Sequence, residues 1–231
     1  SGAPATTGTI VKPVDWTLDN WGEDLIACPY GGGIYYWSPG VGFPTAQKIA
    51  EAPPVNAGAF VAMPQRQIMA WGSTYNGIQD PMQIRWCDVN DFTVWKANVT
   101  NQAGGYRIPK GSRIVQGIQG PQQCLFWTDL GLWVAQYIGP TDVYGFNEVG
   151  TGCGLIGRKA AGSMNGVIYW MSQTQFYNYG GGGTPTPMKC PVWDVAFQDL
   201  DTAYADNIRF AANSQFGEVT WYYPVTGSNG E

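Results

Sequence analysis

The residues able to do chemistry in this chain are few and scattered. Asp19, Glu23 and Asp24 stand close enough together for the acid/base work of glycosidases, in which one carboxyl group donates a proton and another serves as base or nucleophile. Turn chemistry accounts for the same residues more simply. Asp and Asn side chains bond nearby backbone, Gly22 supplies permissive dihedral angles, and no second acid recurs at the matching place in later repeats. A Ser/His/Asp or Cys/His nucleophile is excluded, because the 231 residues contain no histidine. The commonest zinc ligand is thereby missing, and Cys28, Cys87, Cys124, Cys153 and Cys190 form no CxxC pair. Their odd number rules out a fully paired disulfide framework and points to free, mostly buried thiols made in a reducing compartment.

The run Gly152-Cys153-Gly154-Leu155-Ile156-Gly157 spells GxGxxG. A dinucleotide fingerprint needs a strand before it, a helix after it and an acid about 20 residues on. Here Gly162 interrupts, a hairpin follows, and no Asp or Glu occurs between Glu148 and Asp194. The expected role is a flexible connection between structural units, with no cofactor. Trp37, Trp71, Trp127, Trp170 and Trp221 could serve as sugar-stacking platforms, but each sits within an apolar run, which favours packing. Arg107, Lys110 and Arg113 are the densest basic group and read as a solvated loop, not a nucleic-acid stripe. No catalytic, cofactor-binding or metal-binding residue is assigned, and the chain is not expected to be an enzyme.

The elements behind these residues are repeated hairpins. Leu25 to Cys28 and Ile34 to Trp37 flank Pro29, Tyr30 and three glycines, as in a β-hairpin. The same pattern returns as Phe60 to Met63 with Ile68 to Trp71, and as Ile114 to Ile118 with Cys124 to Trp127. It appears again as Lys159 to Gly162 with Val167 to Trp170, and as Ile208 to Ala211 with Glu218 to Trp221. The closing tryptophans are 34, 56, 43 and 51 residues apart, near the repeat length of about 40 to 50 residues that builds propeller blades. Second hairpins extend the units: Met82 to Trp86 with Phe92 to Trp95, Leu132 to Tyr137 with Tyr144 to Val149, and Gln175 to Tyr179 with Val192 to Val195. Only Phe197 to Asp201 suggests a helical turn.

The predicted fold is all-β, a β-propeller of four-stranded antiparallel blades, because a small sheet with two apolar faces must be covered on both sides. A β-sandwich of the same strands is the structural rival. The predicted organisation is an N-terminal arm at 1–14, in which Thr9-Ile10-Val11 adds an edge strand. A propeller domain at 15–231 follows, with units near 15–50, 53–100, 111–150, 157–200 and 204–231, the last incomplete. Five hairpins leave the blade number open. The start at Ser1 and the end just after a strand suggest part of a longer polypeptide.

Composition fits this reading. Aromatics make up 14% of the chain, with 32 Gly and 16 Pro, which favours strands and tight turns over long helices. Charged residues are only 13%, about half the share usual in soluble domains, so the surface must carry many uncharged polar and aromatic groups, as suits a chain covered by partners. The net charge of -5 comes from scattered acids and names no partner. No apolar stretch is long enough for a membrane span, so a soluble protein is expected. Asn98-Val99-Thr100 spells a glycosylation site that the cysteine usage makes idle.

The run from Trp16 through Asp19, Trp21, Glu23 and Cys28 to Pro29, with Gly32 to Trp37, resembles the signature of bacteriophage virion proteins related to the packaged-DNA stabilisation proteins of short-tailed phages. Glu218-Val219-Thr220-Trp221-Tyr222-Tyr223-Pro224 resembles the same group, while the middle of the chain agrees in hairpin layout more than in letters. The resemblance implies a β-propeller subunit of the tail hub or nozzle, in the virion, assembled in the bacterial cytoplasm as a homo-oligomeric ring below the portal and adaptor. Such a ring helps retain packaged DNA, with DNA only a passing, non-specific neighbour. The alternatives are a carbohydrate-binding or glycan-hydrolysing propeller, and a tail-tip propeller domain of a long-tailed phage.

Overall fold

A computed structural model describes residues 15–41, 45–228 and 230. The expected arm at 1–14 with its Thr9-Ile10-Val11 strand lies outside the described residues. The first sheet consists of β1 (Trp16–Trp21), β2 (Asp24–Pro29), β3 (Tyr35–Trp37) and β4 (Gln47–Lys48), antiparallel and in that spatial order. In the second, β5 (Gly58–Ala62) pairs with β6 (Gln67–Trp71); a side hairpin of β7 (Thr74–Tyr75) and β8 (Ile78–Gln79) intervenes before β9 (Gln83–Trp86) and β10 (Gly104–Arg107). The third sheet holds β11 (Ile114–Gly120), β12 (Gln123–Thr128), β13 (Gly131–Gly139) and β14 (Val143–Thr151). The fourth holds β15 (Ala161–Met164), β16 (Val167–Met171), β17 (Phe176–Tyr179) and β18 (Thr186–Pro187). Helix α1 (Trp193–Asp199) leads to a two-stranded sheet of β19 (Arg209–Asn213) and β20 (Glu218–Tyr222).

These sheets are the blades of a β-propeller, and the period of two along their strands shows how they stack. In β5, Ala59 and Val61 pack toward the first sheet while Phe60 and Ala62 pack toward the third. In β12, Cys124 and Phe126 face the second sheet, and Leu125 and Trp127 face the fourth. Strands β5 and β12 are thus apolar on both faces, which explains their continuous apolar runs. An aromatic pair marks every junction: Trp21 against Phe92 at 5.3 Å between centroids, Phe60 against Phe126 at 5.7 Å, Trp127 against Trp170 at 5.5 Å and Phe176 against Trp221 at 4.8 Å. Such pairs add about 0.5–1.5 kcal/mol each beyond the area they bury. At the last junction, Gly162 lets the Phe210 ring lie where a Cβ would stand 2.2 Å from it.

The first strands of successive sheets, β1, β5, β11, β15 and β19, contact one another in turn. The first sheet is tied back to the fourth and fifth. Lys159 Nζ donates to Trp16 O at 2.7 Å, Arg209 Nη2 lies 3.7 Å from Asp15 Oδ2, and the Arg158 guanidinium sits 4.0 Å over the Tyr30 ring.

Several sequence expectations are corrected. The opening hairpin is out of phase with the others: Leu25 to Cys28 and Ile34 to Trp37 belong to the second and third strands of their sheet, whereas the later hairpins are first and second strands. The true first strand, β1, alternates polar and apolar residues and carries no unbroken apolar run. Trp37 is therefore not equivalent to the other tryptophans and is 39% exposed, whereas Trp71, Trp127 and Trp170 are buried.

Phe92 to Trp95 is not a strand. Asp88 and Asp91 accept nearby backbone N–H groups, and the buried Trp95 ring donates to Phe92 O, closing a compact loop. The outer strand is β10, past the expected unit boundary at 100 and hidden by Gly104 and Gly105. Val192 to Val195 opens helix α1 instead of forming a strand: Trp193 and Phe197, one turn apart, meet at 6.2 Å and Phe197 packs on Phe176. Between Trp71 and β9, the polar segment Gly72 to Asp80 contains β7 and β8, turned by Asn76-Gly77 with both φ positive.

Candidate functional site

Asp19, the foremost of the sequence acids, is engaged in holding blades together. Its Oδ2 accepts from Val61 N at 2.8 Å and its Oδ1 from Asn20 N at 2.8 Å. On the same face of β1, Thr17 Oγ1 accepts from Ala59 N at 2.9 Å, and Gln119 Oε1 of the third sheet accepts from Met63 N at 2.9 Å. Edge strand β5 thus has the N–H groups of Ala59 and Val61, and of Met63 just past its end, taken by side chains of the two neighbouring sheets. An unpaired edge is a liability for aggregation, and a charge-assisted bond such as that of Asp19 contributes about 1.5–3 kcal/mol. Glu23 lies in the β1–β2 turn, where Gly22 has φ 70°, and Asp24 begins β2. The turn reading thus describes Glu23 and Gly22 but misses the inter-blade bond of Asp19.

A second polar network joins the second and third sheets. Buried Gln67 donates through Nε2 to Cys87 O at 2.8 Å and accepts at Oε1 from Tyr144 OH at 2.9 Å; Tyr137 OH donates to Gln102 Oε1 at 2.8 Å. Between the first and second sheets, buried Asn56 donates to Pro53 O and Gly32 O and accepts from Ser73 Oγ. Low local dielectric makes such satisfied networks specific and their loss costly. Gln67 and Asn56 were invisible as special in the sequence, being single amides among apolar or loop residues.

All five cysteines are free, and four are buried. Burial pushes the Cys28 and Cys87 thiols up to about 12 and raises those of Cys124 and Cys153, which disfavours thiolate chemistry. The GxGxxG run joins β14 to β15 with no helix after it. It is not the loose connection expected: Cys153, Leu155 and Ile156 are buried, and a Cβ on Gly154 or Gly157 would meet backbone of Asp129 or Ala205 at 2.2 and 2.1 Å. Among the described residues, no group of three or more His, Cys, Asp or Glu side chains could hold a metal ion, and no helix is long and apolar enough to cross a membrane.

Two of the concave sites among the described residues bring charged and aromatic side chains together. A cleft of about 470 Å³ lies beside β9 and β10, with Tyr75, Arg85, Trp86 and Asp142 in its wall. Arg85 is held there by bonds to Gly104 O and Trp95 O, with its guanidinium 5.0 Å from the Tyr75 ring centroid. The other is axial. At the entries of the inner strands, Arg113 and Arg158 line one small pocket, Asp15, Arg158 and Lys159 line a neighbouring cavity, and Arg209 lies 3.7 Å from Asp15. The basic group expected to be a loop is divided by the fold: Arg107 pairs with Asp80 at 2.6 Å, Lys110 with Glu148 at 2.8 Å, and Arg113 turns to the axis. A cation at the entry of the third, fourth and fifth hairpins is the sequence signal that could have found this cluster.

No protein-family model matches this chain, and no curated protein does. Among solved structures it is similar to Hsv2 of Kluyveromyces lactis with complete loop 6CD, at 10% identity over 76% of this chain and 49% of that one, with a TM-score of 0.46. It is also similar to BamB from Moraxella catarrhalis, at 12% identity over 91% of this chain and 58% of that one, with a TM-score of 0.45. The chain spans about half the length of these two structures. Nothing about activity or partners follows from either likeness.

Proposed function

We propose that this chain is a structural virion protein of a bacteriophage, a tail hub or nozzle subunit that assembles as a ring, helps retain packaged DNA and forms part of its exit channel. One observation supports it most: both stretches that resemble the phage proteins turn large apolar side chains to solvent, as do several loops elsewhere in the chain. Trp16 and Leu18 of β1 are 46% and 62% exposed, and Tyr222 of β20 is 64% exposed. Exposed apolar side chains on a regular sheet face suit protein contact. The inner face of β1, by contrast, is engaged with the second sheet through Thr17 and Asp19.

The test is assembly. The purified chain, measured by light scattering with and without its neighbouring virion proteins, should form a closed homo-oligomer, and Leu18→Asp with Tyr222→Asp should return it to a monomer. A wild-type chain that stays monomeric at every concentration and with every virion partner contradicts the reading. In the assembled ring the wall facing DNA should be acidic or neutral, since lysines and arginines there would hold phosphates during ejection.

The cleft at Tyr75 favours a second reading, a carbohydrate-binding propeller. Its volume is in the range of small-molecule sites, and an aromatic ring beside Arg85 and Asp142 offers a stacking face together with hydrogen-bonding groups. Binding on a glycan array that disappears in Tyr75→Ala would support it; an array without hits would dismiss it.

A further inference from the structure

We infer that the axial pocket is an oxyanion site, in which the guanidiniums of Arg113 and Arg158 hold one phosphate-sized anion where four blades meet. The pocket is about 120 Å³ and is lined by Tyr30 of the first sheet, Ala57 and Gly72 flanking the second, Arg113 and Val115 of the third, and Arg158 at the entry of the fourth. No carboxylate is in its wall. Arg158 is fixed in place, with its guanidinium over the Tyr30 ring at 4.0 Å and its Nε 3.4 Å from Asp206 Oδ1. That Nε is buried without a hydrogen-bond acceptor, and neither the terminal nitrogens of Arg158 nor the Arg113 guanidinium has one among the described residues.

Two cations with unused donors on one small cavity repel each other, although the carboxylate of Asp206 at 3.4 Å from Arg158 and the exposure of Arg113 to water reduce the repulsion. Lys159, close by on the smaller cavity beside the pocket, adds to this. Burial lowers its pKa, Asp15 opposes that, and Arg209 and Arg158 lower it further. An anion between the guanidiniums removes the repulsion and accepts their forked donors, for which a phosphate oxygen pair is the matching shape. The volume has room for a tetrahedral oxyanion and a few waters, but not for a nucleoside. An ion seated there would link the first four blades and stabilise them together.

The experiment is calorimetric titration of the whole chain with inorganic phosphate, at constant ionic strength set with chloride. One saturable site is expected, along with a rise in melting temperature at millimolar phosphate. Arg113→Gln, at an exposed position, should weaken binding about tenfold or more, as for loss of one charge-assisted contact. Arg158→Lys keeps the charge but loses the fork and should also weaken it. Arg107→Gln, outside the pocket, should leave it unchanged. Absence of saturable binding, or equal binding by wild type and Arg113→Gln, overturns the site. A short single-stranded oligonucleotide without terminal phosphates then identifies the source. Competition with phosphate means a phosphodiester is taken, and no competition means the free ion is the ligand.

Discussion

The third sheet and the last one contain the same hairpin but live in different surroundings. In the third, β12 has Leu125 and Trp127 against one neighbour and Cys124 and Phe126 against the other, all buried. In the last, Trp221 and Phe210 pack on the fourth sheet, while Ala211, Thr220 and Tyr222 on the other side are exposed. The first sheet repeats the asymmetry from the other end, with Thr17 and Asp19 engaged and Trp16 and Leu18 exposed. Interior blades are thus covered on both faces, whereas β1, β19 and β20 each leave one face exposed.

Thiol reactivity should break along the same line, all or none. In the native chain at pH 8, iodoacetamide should modify Cys190, which precedes α1 and is partly exposed, and leave Cys28, Cys87, Cys124 and Cys153 untouched. Mass spectrometry of tryptic peptides reads the result. Labelling of the buried four at the same rate would mean the interior blades open freely.

Among substitutions, Trp127→Ala should cost about 3–5 kcal/mol in urea unfolding, as for a large aromatic removed from a closed core. Trp221→Ala, covered from one side, should cost roughly half of that. Equal costs would show that the last sheet is as enclosed as the third. Asp19→Ala should cost about 1–3 kcal/mol because Val61 N is left without its acceptor at a blade junction. Glu23→Ala, in a turn, should change stability by less than about 0.5 kcal/mol.

A further small effect is electrostatic. Hydrogen bonding from Lys110, with help from Thr151, holds the Glu148 carboxyl below its usual pKa despite some burial. At Asp129, burial pushes upward, but bonds from Ser112 N, Ser112 Oγ and Arg113 N outweigh it and the pKa is lowered. Both depressed acids contribute stability above the unfolded carboxylate range of about 4, and that contribution is lost as pH falls through their lower folded values. With both sites near the surface, Glu148→Gln should cost less than about 1 kcal/mol at neutral pH. The difference from wild type should vanish in acid, as followed by thermal melts against pH.

The legibility of this fold followed the burial of its strands. Strands buried on both faces, such as β12 and β16, are written as apolar runs, and the sequence reading placed them within a residue or two. β1 escaped because its polar residues bond across a blade junction, β10 because two glycines mask it, and β18 because an edge strand of Thr186-Pro187 has no apolar signal. The axial cations were legible as residues but not as a cluster, since hairpins about 45 residues apart meet only when the blades close on their axis. Asp19 shows the same limit: its spacing spelled a turn, while its partner, Val61, lies 42 residues away.

The most direct test of the central claim is electron cryomicroscopy of the assembled complex carrying this chain. If the proposed function holds, Trp16, Leu18 and Tyr222 will be buried in a closed ring, against a neighbouring copy or another virion protein, below the portal. A particle in which this chain stands alone, with those three side chains facing solvent, would contradict it.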